Sequence, residues 1–244
     1  MSKQFIHFRD MGSVPYAEAW KYQEELLSEN VKIKSARWRV EAGEEDTLVV
    51  DDTTHHLLFV EHPPVYTLGK SGKIEHVLIS DEERQKKNIE FFKIDRGGDI
   101  TFHGPGQIVG YPILDLEKFY TDIGRYMRDI EEVMIRTCAG YGIEAGRSPG
   151  ETGVWVDAGK KGRERKICAI GIRCSRWITM HGFAFNVNTD LNYFNNIIPC
   201  GIFNKQVTSL QRELKKEVDI TEAKDRVKKN FADVFGAEIV NDEL

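Results

Sequence analysis

Between residues 153 and 187 three apolar segments, GVWV, KICAIGIR and WITMHGFAFNV, follow one another with room between them only for turns. They are rich in β-branched and aromatic residues, and the charged stretch GKKGRERK suits a hairpin tip between the first two, so all three read as strands. His56 to Val60, Val65 to Leu68, Phe91 to Ile94 and the run IVGYPILDL read as strands as well. Pro63 and Pro64 break the first pair, because proline donates no ladder hydrogen bond. Strands that outnumber helices and lie this close in sequence point to an α+β or mixed α/β sheet with helices packed on one side.

Three helices are legible from apolar spacing. Residues 15 to 29 carry Tyr16, Ala19, Trp20, Gln23, Leu26 and Leu27 on one stripe behind a first-turn proline. A second helix runs from Ile123 to Cys138 and is ended by Gly140 and Gly142; a third spans about 221–235, with Asp219 and Glu222 in capping-box positions and Gly236 as its stop. The charged run from Asp81 to Lys87 reads as a solvated helix or loop. No repeat or composition shift divides the chain, so residues 1–244 are expected to form one domain.

A net charge of -5 and a pI near 5.9 lack the basic excess that nucleic-acid binding demands. No apolar run approaches the roughly 18 residues of a membrane span, and the first residues lack the apolar core of a signal peptide. A cytoplasmic enzyme with no membrane or nucleic-acid partner is the expectation.

Chemistry must then come from a few positions. The four cysteines, Cys138, Cys168, Cys174 and Cys200, show no CxxC spacing, so neither a metal site nor a redox pair is expected. Cys138 shares the core stripe of its helix. Cys200 instead sits between Pro199 and Gly201, a turn context that can present a thiol at a pocket. Lys166 opens the KICAIGI strand, where an ammonium could favour the thiolate of a neighbour; equally, it could merely continue the basic cluster Lys160, Lys161, Arg163 and Arg165. The densest polar signal is Arg96-Gly97-Gly98-Asp99-Ile100-Thr101-Phe102-His103, followed by GPGQ. Its glycines allow close backbone approach to a ligand, though a plain turn fits too.

In order and without a missing block from about residue 56 to 211, RGGDITFHGPGQ, GVWV, KICAIGIR, WITMHGFAFNV, NNIIPCGI and VTSL resemble the octanoyltransferases of lipoate biosynthesis. That resemblance implies the biotin/lipoate protein ligase catalytic fold, a largely antiparallel mixed sheet with packed helices. It assigns Cys200 as the acyl-carrying nucleophile and Lys166 as the residue that lowers its pKa and shuttles protons. Arg96 through His103, Ala169-Ile170-Gly171 and Gly182-Phe183-Ala184 become substrate-binding stretches. The implied donor is octanoyl-acyl carrier protein. The implied acceptors are lipoyl domains of 2-oxoacid dehydrogenase E2 subunits and the glycine cleavage H protein, with no cofactor and a monomeric enzyme.

Alternatives are an octanoyl amidotransferase working between lipoyl-bearing proteins and an ATP-dependent lipoate or biotin ligase. From other classes come a non-catalytic acyl-binding module and a cysteine hydrolase pairing Cys200 with His103. Three positions depart from the family pattern: Phe102 stands for a tyrosine, and Cys168 and Cys174 are extra thiols. Strand alternation from Lys166 places Cys168 on the same face as that lysine.

Overall fold

The computed structural model describes residues 3–43, 51–198 and 206–242. In chain order they form β1 (Phe5–Ser13), α1 (Tyr16–Glu41), β2 (His55–Glu61), β3 (Val65–Leu68), α2 (Asp81–Lys86), β4 (Glu90–Lys93), β5 (Ile100–His103) and β6 (Gln107–Ile113). There follow α3 (Ile123–Ala139), β7 (Ala145–Gly146), β8 (Val154–Val156), β9 (Arg165–Ser175), β10 (Ile178–Asn186), β11 (Gln206–Val207), α4 (Leu210–Leu214), α5 (Ile220–Phe235) and β12 (Glu238–Asn241).

The large sheet has the order β12-β1-β2-β6-β10-β9-β8-β7, with β11 added to β9. β1 pairs parallel with both β12 and β2, and β11 parallel with β9; the remaining neighbours are antiparallel. This is the mixed, largely antiparallel sheet that the family resemblance implies. β4, β3 and β5 make a second, three-stranded sheet.

The sequence of β2, HHLLFVE, decides the layering, because four successive apolar residues leave no polar face for solvent. Leu57 and Phe59 enter a core with Tyr126, Val133 and Met134 of α3 and Val227 and Phe231 of α5. Leu58 and Val60 enter another with Ala19, Leu26 and Leu27 of α1. Helices therefore cover both faces, which corrects the one-sided packing expected. At about 1.5–3 kcal/mol per buried large apolar side chain, either face left bare would be costly.

Helix α1 also runs to Glu41, well beyond residue 29. Its second half has no apolar stripe to announce it and is held by polar contacts instead. Asn30 exchanges hydrogen bonds with Thr54 at 2.8 Å each way, and Lys34 Nζ lies 2.8 Å from both Asp115 and Glu117. Helices α3 and α5 fall where expected; Asp219 caps the backbone of Thr221 and Glu222, and Gly236 closes α5 in the left-handed conformation. The charged run is helix α2, opened by a full capping box between Ser80 and Glu83.

Candidate active site

On the α1 face of the sheet, β9, β10 and β6 floor a cavity of about 310 Å³ whose opposite wall is the 96–103 segment. Cross-strand pairing sets the floor in rows. Asn186 pairs with Gln107, Ala184 with both Val109 and Ala169, and Gly182 with Gly171. Polar, small apolar and side-chain-free rows thus succeed one another along β10.

Lys166 stands at the polar end. Its ammonium lies 4.6 Å from the centroid of the Trp155 ring, a cation–π contact, and its carbonyl accepts from Thr208 N at 2.9 Å. Gly153 makes room for the stem: a Cβ there would sit 2.6 Å from the Cys168 carbonyl oxygen and 3.5 Å from Lys166 Cε. Gly153 N donates to the buried carboxylate of Glu131, which also binds Arg128 and Arg147. The neighbouring cations are held by Asp157 and Glu213. Arg163 and Arg165 both contact Asp157, Lys160 reaches the same carboxylate at 2.7 Å, and Arg165 grips Glu213 with two nitrogens at 2.6 and 2.7 Å. Lys166 lines the cavity.

A β-bulge separates Lys166 from Cys168. Val154 pairs with Cys168 but the next residue, Trp155, pairs with Lys166, so Ile167 is an extra residue in β9. Ile167 and Cys168 are both fully buried in the core under α3. Alternation thus fails here, and Cys168 does not share the face of Lys166 as expected. Burial pushes its thiol well above the ordinary range, as it pushes Cys138 up to about 12 and raises Cys174. Cys200 and the rest of PCGI lie outside the described residues.

A directional hydrogen-bond relay runs through residues that line the cavity. Arg96 Nη2 donates to Thr67 Oγ1 at 3.0 Å, and Thr67 Oγ1 is 3.3 Å from His103 Nε2. His103 Nδ1 is 2.9 Å from Gln107 Oε1; Gln107 Nε2 donates to Asn186 Oδ1 at 2.8 Å, and Asn186 Nδ2 donates to the Thr208 carbonyl at 3.0 Å. Because the Gln107 amide nitrogen also donates to the Phe102 carbonyl, its oxygen must face His103, which places the imidazole proton on Nδ1. Burial holds His103 far below its ordinary pKa, so it is neutral and both ring nitrogens are engaged.

Tyr16, Arg96, Tyr111 and His181 line the cavity as well. Tyr111 and His62 meet at 2.7 Å, and His181 Nε2 lies 2.9 Å from Asp95, which also binds Arg173 at 2.6 Å. His181 has φ +56, a left-handed backbone rare for a residue with a side chain, and its amide donates to Gln23 Oε1 at 2.9 Å.

Of the stretches singled out in the sequence, Arg96, Gly98 to Thr101, His103, Lys166, Ala169 to Gly171 and Gly182 to Ala184 line the cavity. Gly97 and Phe102 do not. Gly97 anchors the wall, its amide donating to Ile172 O at 2.8 Å, and Phe102 turns away to stack on Tyr193 at 4.5 Å. Sequence reasoning did not single out Tyr16, Val109, Tyr111, His181 or Asn186. For Val109, Tyr111 and Asn186 the signal was parity with known lining positions on the same strands; for His181 a positive φ hid even that. Among the described residues no group of three His, Cys, Asp or Glu could hold a metal ion, and no helix is long and apolar enough to cross a membrane.

Residues 15–232 match the family model of the lipoyl protein ligase A/B catalytic domain. The chain is 54% identical to an octanoyltransferase of Christiangramia forsetii, over 98% of this chain and 99% of that one. It is 55% identical to an octanoyltransferase of Flavobacterium johnsoniae over 96% and 98%. Among solved structures it is similar in fold to a putative lipoate protein ligase from T. acidophilum, with a TM-score of 0.67 at 14% identity over 100% of this chain and 89% of that one.

Proposed function

The chain belongs to the lipoyl protein ligase A/B catalytic-domain family, and from that premise we propose that it transfers octanoyl from a carrier thioester to a protein lysine through Cys200. The observation that carries this reading is the placement of Lys166, an ammonium that lines one end of the cavity against the Trp155 ring. Two further features support it. Every described thiol is held away from the thiolate by burial, and the described chain on either side of 199–205 borders the cavity at Phe194 and Val207.

In the first step the Cys200 thiolate attacks the octanoyl carbonyl, the carrier's carbon–sulfur bond breaks, and the departing thiolate takes a proton from the Lys166 ammonium. The acceptor amine then attacks the Cys200 thioester, and the neutral Lys166 amine removes the proton that the new amide must lose. Cys200 leaves as thiolate beside a restored ammonium. Seven chain carbons at about 0.8 kcal/mol each offer roughly 5 kcal/mol of binding to the cavity. Exchange of a thioester for an amide is downhill, so no ATP is consumed.

The donor in this reading is octanoyl-acyl carrier protein and the acceptors are lipoyl domains, with the chain acting as a monomeric, single catalytic domain. His103 suits no cysteine–histidine hydrolase, since neither ring nitrogen is free to take a thiol proton. The test is transfer to an apo-lipoyl domain without ATP, comparing octanoyl-carrier protein with an octanoylated lipoyl protein as donor. Rapid transfer from the carrier alone supports the reading. Transfer only from the lipoyl protein, or only with ATP and free octanoate, contradicts it.

A further inference from the structure

Trp155 and Lys166 meet only because β9 carries its bulge. Val154 pairs with Cys168, and a regular antiparallel ladder would then set Trp155 opposite Ile167 and Val156 opposite Lys166. Val154 and Val156 belong to the core under α3, so that register would drive Lys166 into apolar packing and turn Ile167 toward the cavity. The extra residue moves the pairing by one: Trp155 stands opposite Lys166, and Val156 opposite Arg165. The ammonium thereby comes to 4.6 Å from the centroid of the Trp155 ring.

Trp155 is fully buried, whereas Lys166 is half-buried and lines the cavity, so the indole stands behind the ammonium rather than against a substrate. Gly153, at φ +111, leaves room for the lysine stem, since a Cβ there would lie 3.5 Å from Lys166 Cε. An ammonium is attracted to the face of an indole more strongly than to any other aromatic side chain, and a neutral amine lacks that charge. Of the other charged groups nearby, Glu131 is engaged by Arg128, Arg147 and Gly153 N, and Asp157 and Glu213 by Arg165. Glu151 and Arg96 line the same cavity, and the Cys168 thiol is buried in the core. A substitution at Trp155 alters none of them, so its effect on a pH profile reports the ring.

We propose that Trp155 is a positioning residue for acyl transfer: its indole face holds the Lys166 ammonium at the cavity and through it stabilises the attacking thiolate. The inference rests on the octanoyl-transfer reading and adds to it a residue from outside the cavity lining. It also sets the two half-reactions apart. Acylation draws on the ammonium and transfer to the acceptor on the neutral amine, so loss of the ring slows the first far more than the second.

The test compares Trp155→Phe with Trp155→Leu in the full-length protein; both shrink the side chain, but only the first keeps a π face. Single-turnover acylation by octanoyl-carrier protein near pH 7 should slow about threefold in the Phe variant and about tenfold in the Leu variant, a tenfold change being about 1.4 kcal/mol. The optimum of the Leu variant should move to higher pH, while chase of a preformed octanoyl group onto a lipoyl domain should hardly change in either. A second check needs no Leu variant: in a Lys166→Ala background, Trp155→Phe should cause no further loss of acylation rate. Equal slowing by Phe and Leu, an unmoved pH profile, equal slowing of both half-reactions, or the same loss from Trp155→Phe in the Lys166→Ala background overturns the role of Trp155 while octanoyl transfer stands. A wild-type protein that forms no octanoyl adduct refutes the transfer reading, and this role with it.

Discussion

His103 Nδ1 lies 2.9 Å from Gln107 Oε1, and this contact sets the direction of a relay that ties the glycine-rich segment to β10 and to the chain after β11. Thr67, His103, Gln107 and Asn186 each donate one way and accept the other, so removing one leaves buried neighbours unpaired. Gln107→Ala and Asn186→Ala should each cost about 1–3 kcal/mol, read from urea unfolding midpoints. Their double variant should cost less than the sum by at least about 0.5 kcal/mol. Strict additivity would show that the relay is not a unit.

Five histidines make stability pH-dependent. Burial lowers His103 and His181 below the ordinary range and brings His55, His56 and His62 to about 4. In the unfolded chain these rings bind protons near pH 6.5, whereas the folded protein keeps them neutral, so the unfolded state binds more protons below that pH. Stability is therefore full above about pH 6.5 and falls as pH drops toward 4, at up to about 1.4 kcal/mol per unit for each ring. Urea unfolding at pH 7, 6 and 5 checks this; a midpoint constant across that range contradicts it.

Glu131 is fully buried, with Arg147 at 3.0 Å, Arg128 at 2.8 Å and Gly153 N at 2.9 Å. Removing one partner of such a buried pair costs about 3–5 kcal/mol. Glu131→Ala should lower the thermal midpoint by many degrees, and Glu131→Gln, which keeps an acceptor for Gly153 N, by less. Equal midpoints for the two variants would show that the Gly153 contact contributes nothing.

Lys166→Ala removes the ammonium near the proposed thiol. Acylation should slow sharply, and its pH optimum should move upward toward the pKa of about 8.5 of an unassisted thiol. Single-turnover acylation measured across pH 6–9.5 reports this. A slower rate with an unmoved profile would demote Lys166 to a structural role.

Much of the fold was legible because the decisive strands are continuous apolar runs, as in β2 and β10, and because α3 and α5 carry both stripe and caps. β1 and β12 escaped notice. Neither alternates cleanly, and each finds its partner across nearly the whole chain, Phe5 beside Glu238. The extension of α1 was hidden for a related reason, since Asn30 and Lys34 bind distant polar groups that leave no periodicity. At the site, motif residues mapped well onto the cavity wall, but parity misled at Cys168, because one extra residue, Ile167, inverts every side chain beyond it. Pairing, bulges and positive φ are set by neighbours far away in sequence, so the strand alone cannot show them.

The central claim concerns where the acyl group rests between donor and acceptor. Incubation with octanoyl-carrier protein in the absence of acceptor, followed by intact mass and peptide mapping, reads this directly. The account predicts one hydroxylamine-labile octanoyl group on Cys200, lost in Cys200→Ser and chased onto a lipoyl-domain lysine when acceptor is added. An adduct on Cys168 or Cys174, or full transfer activity in Cys200→Ser, would contradict it.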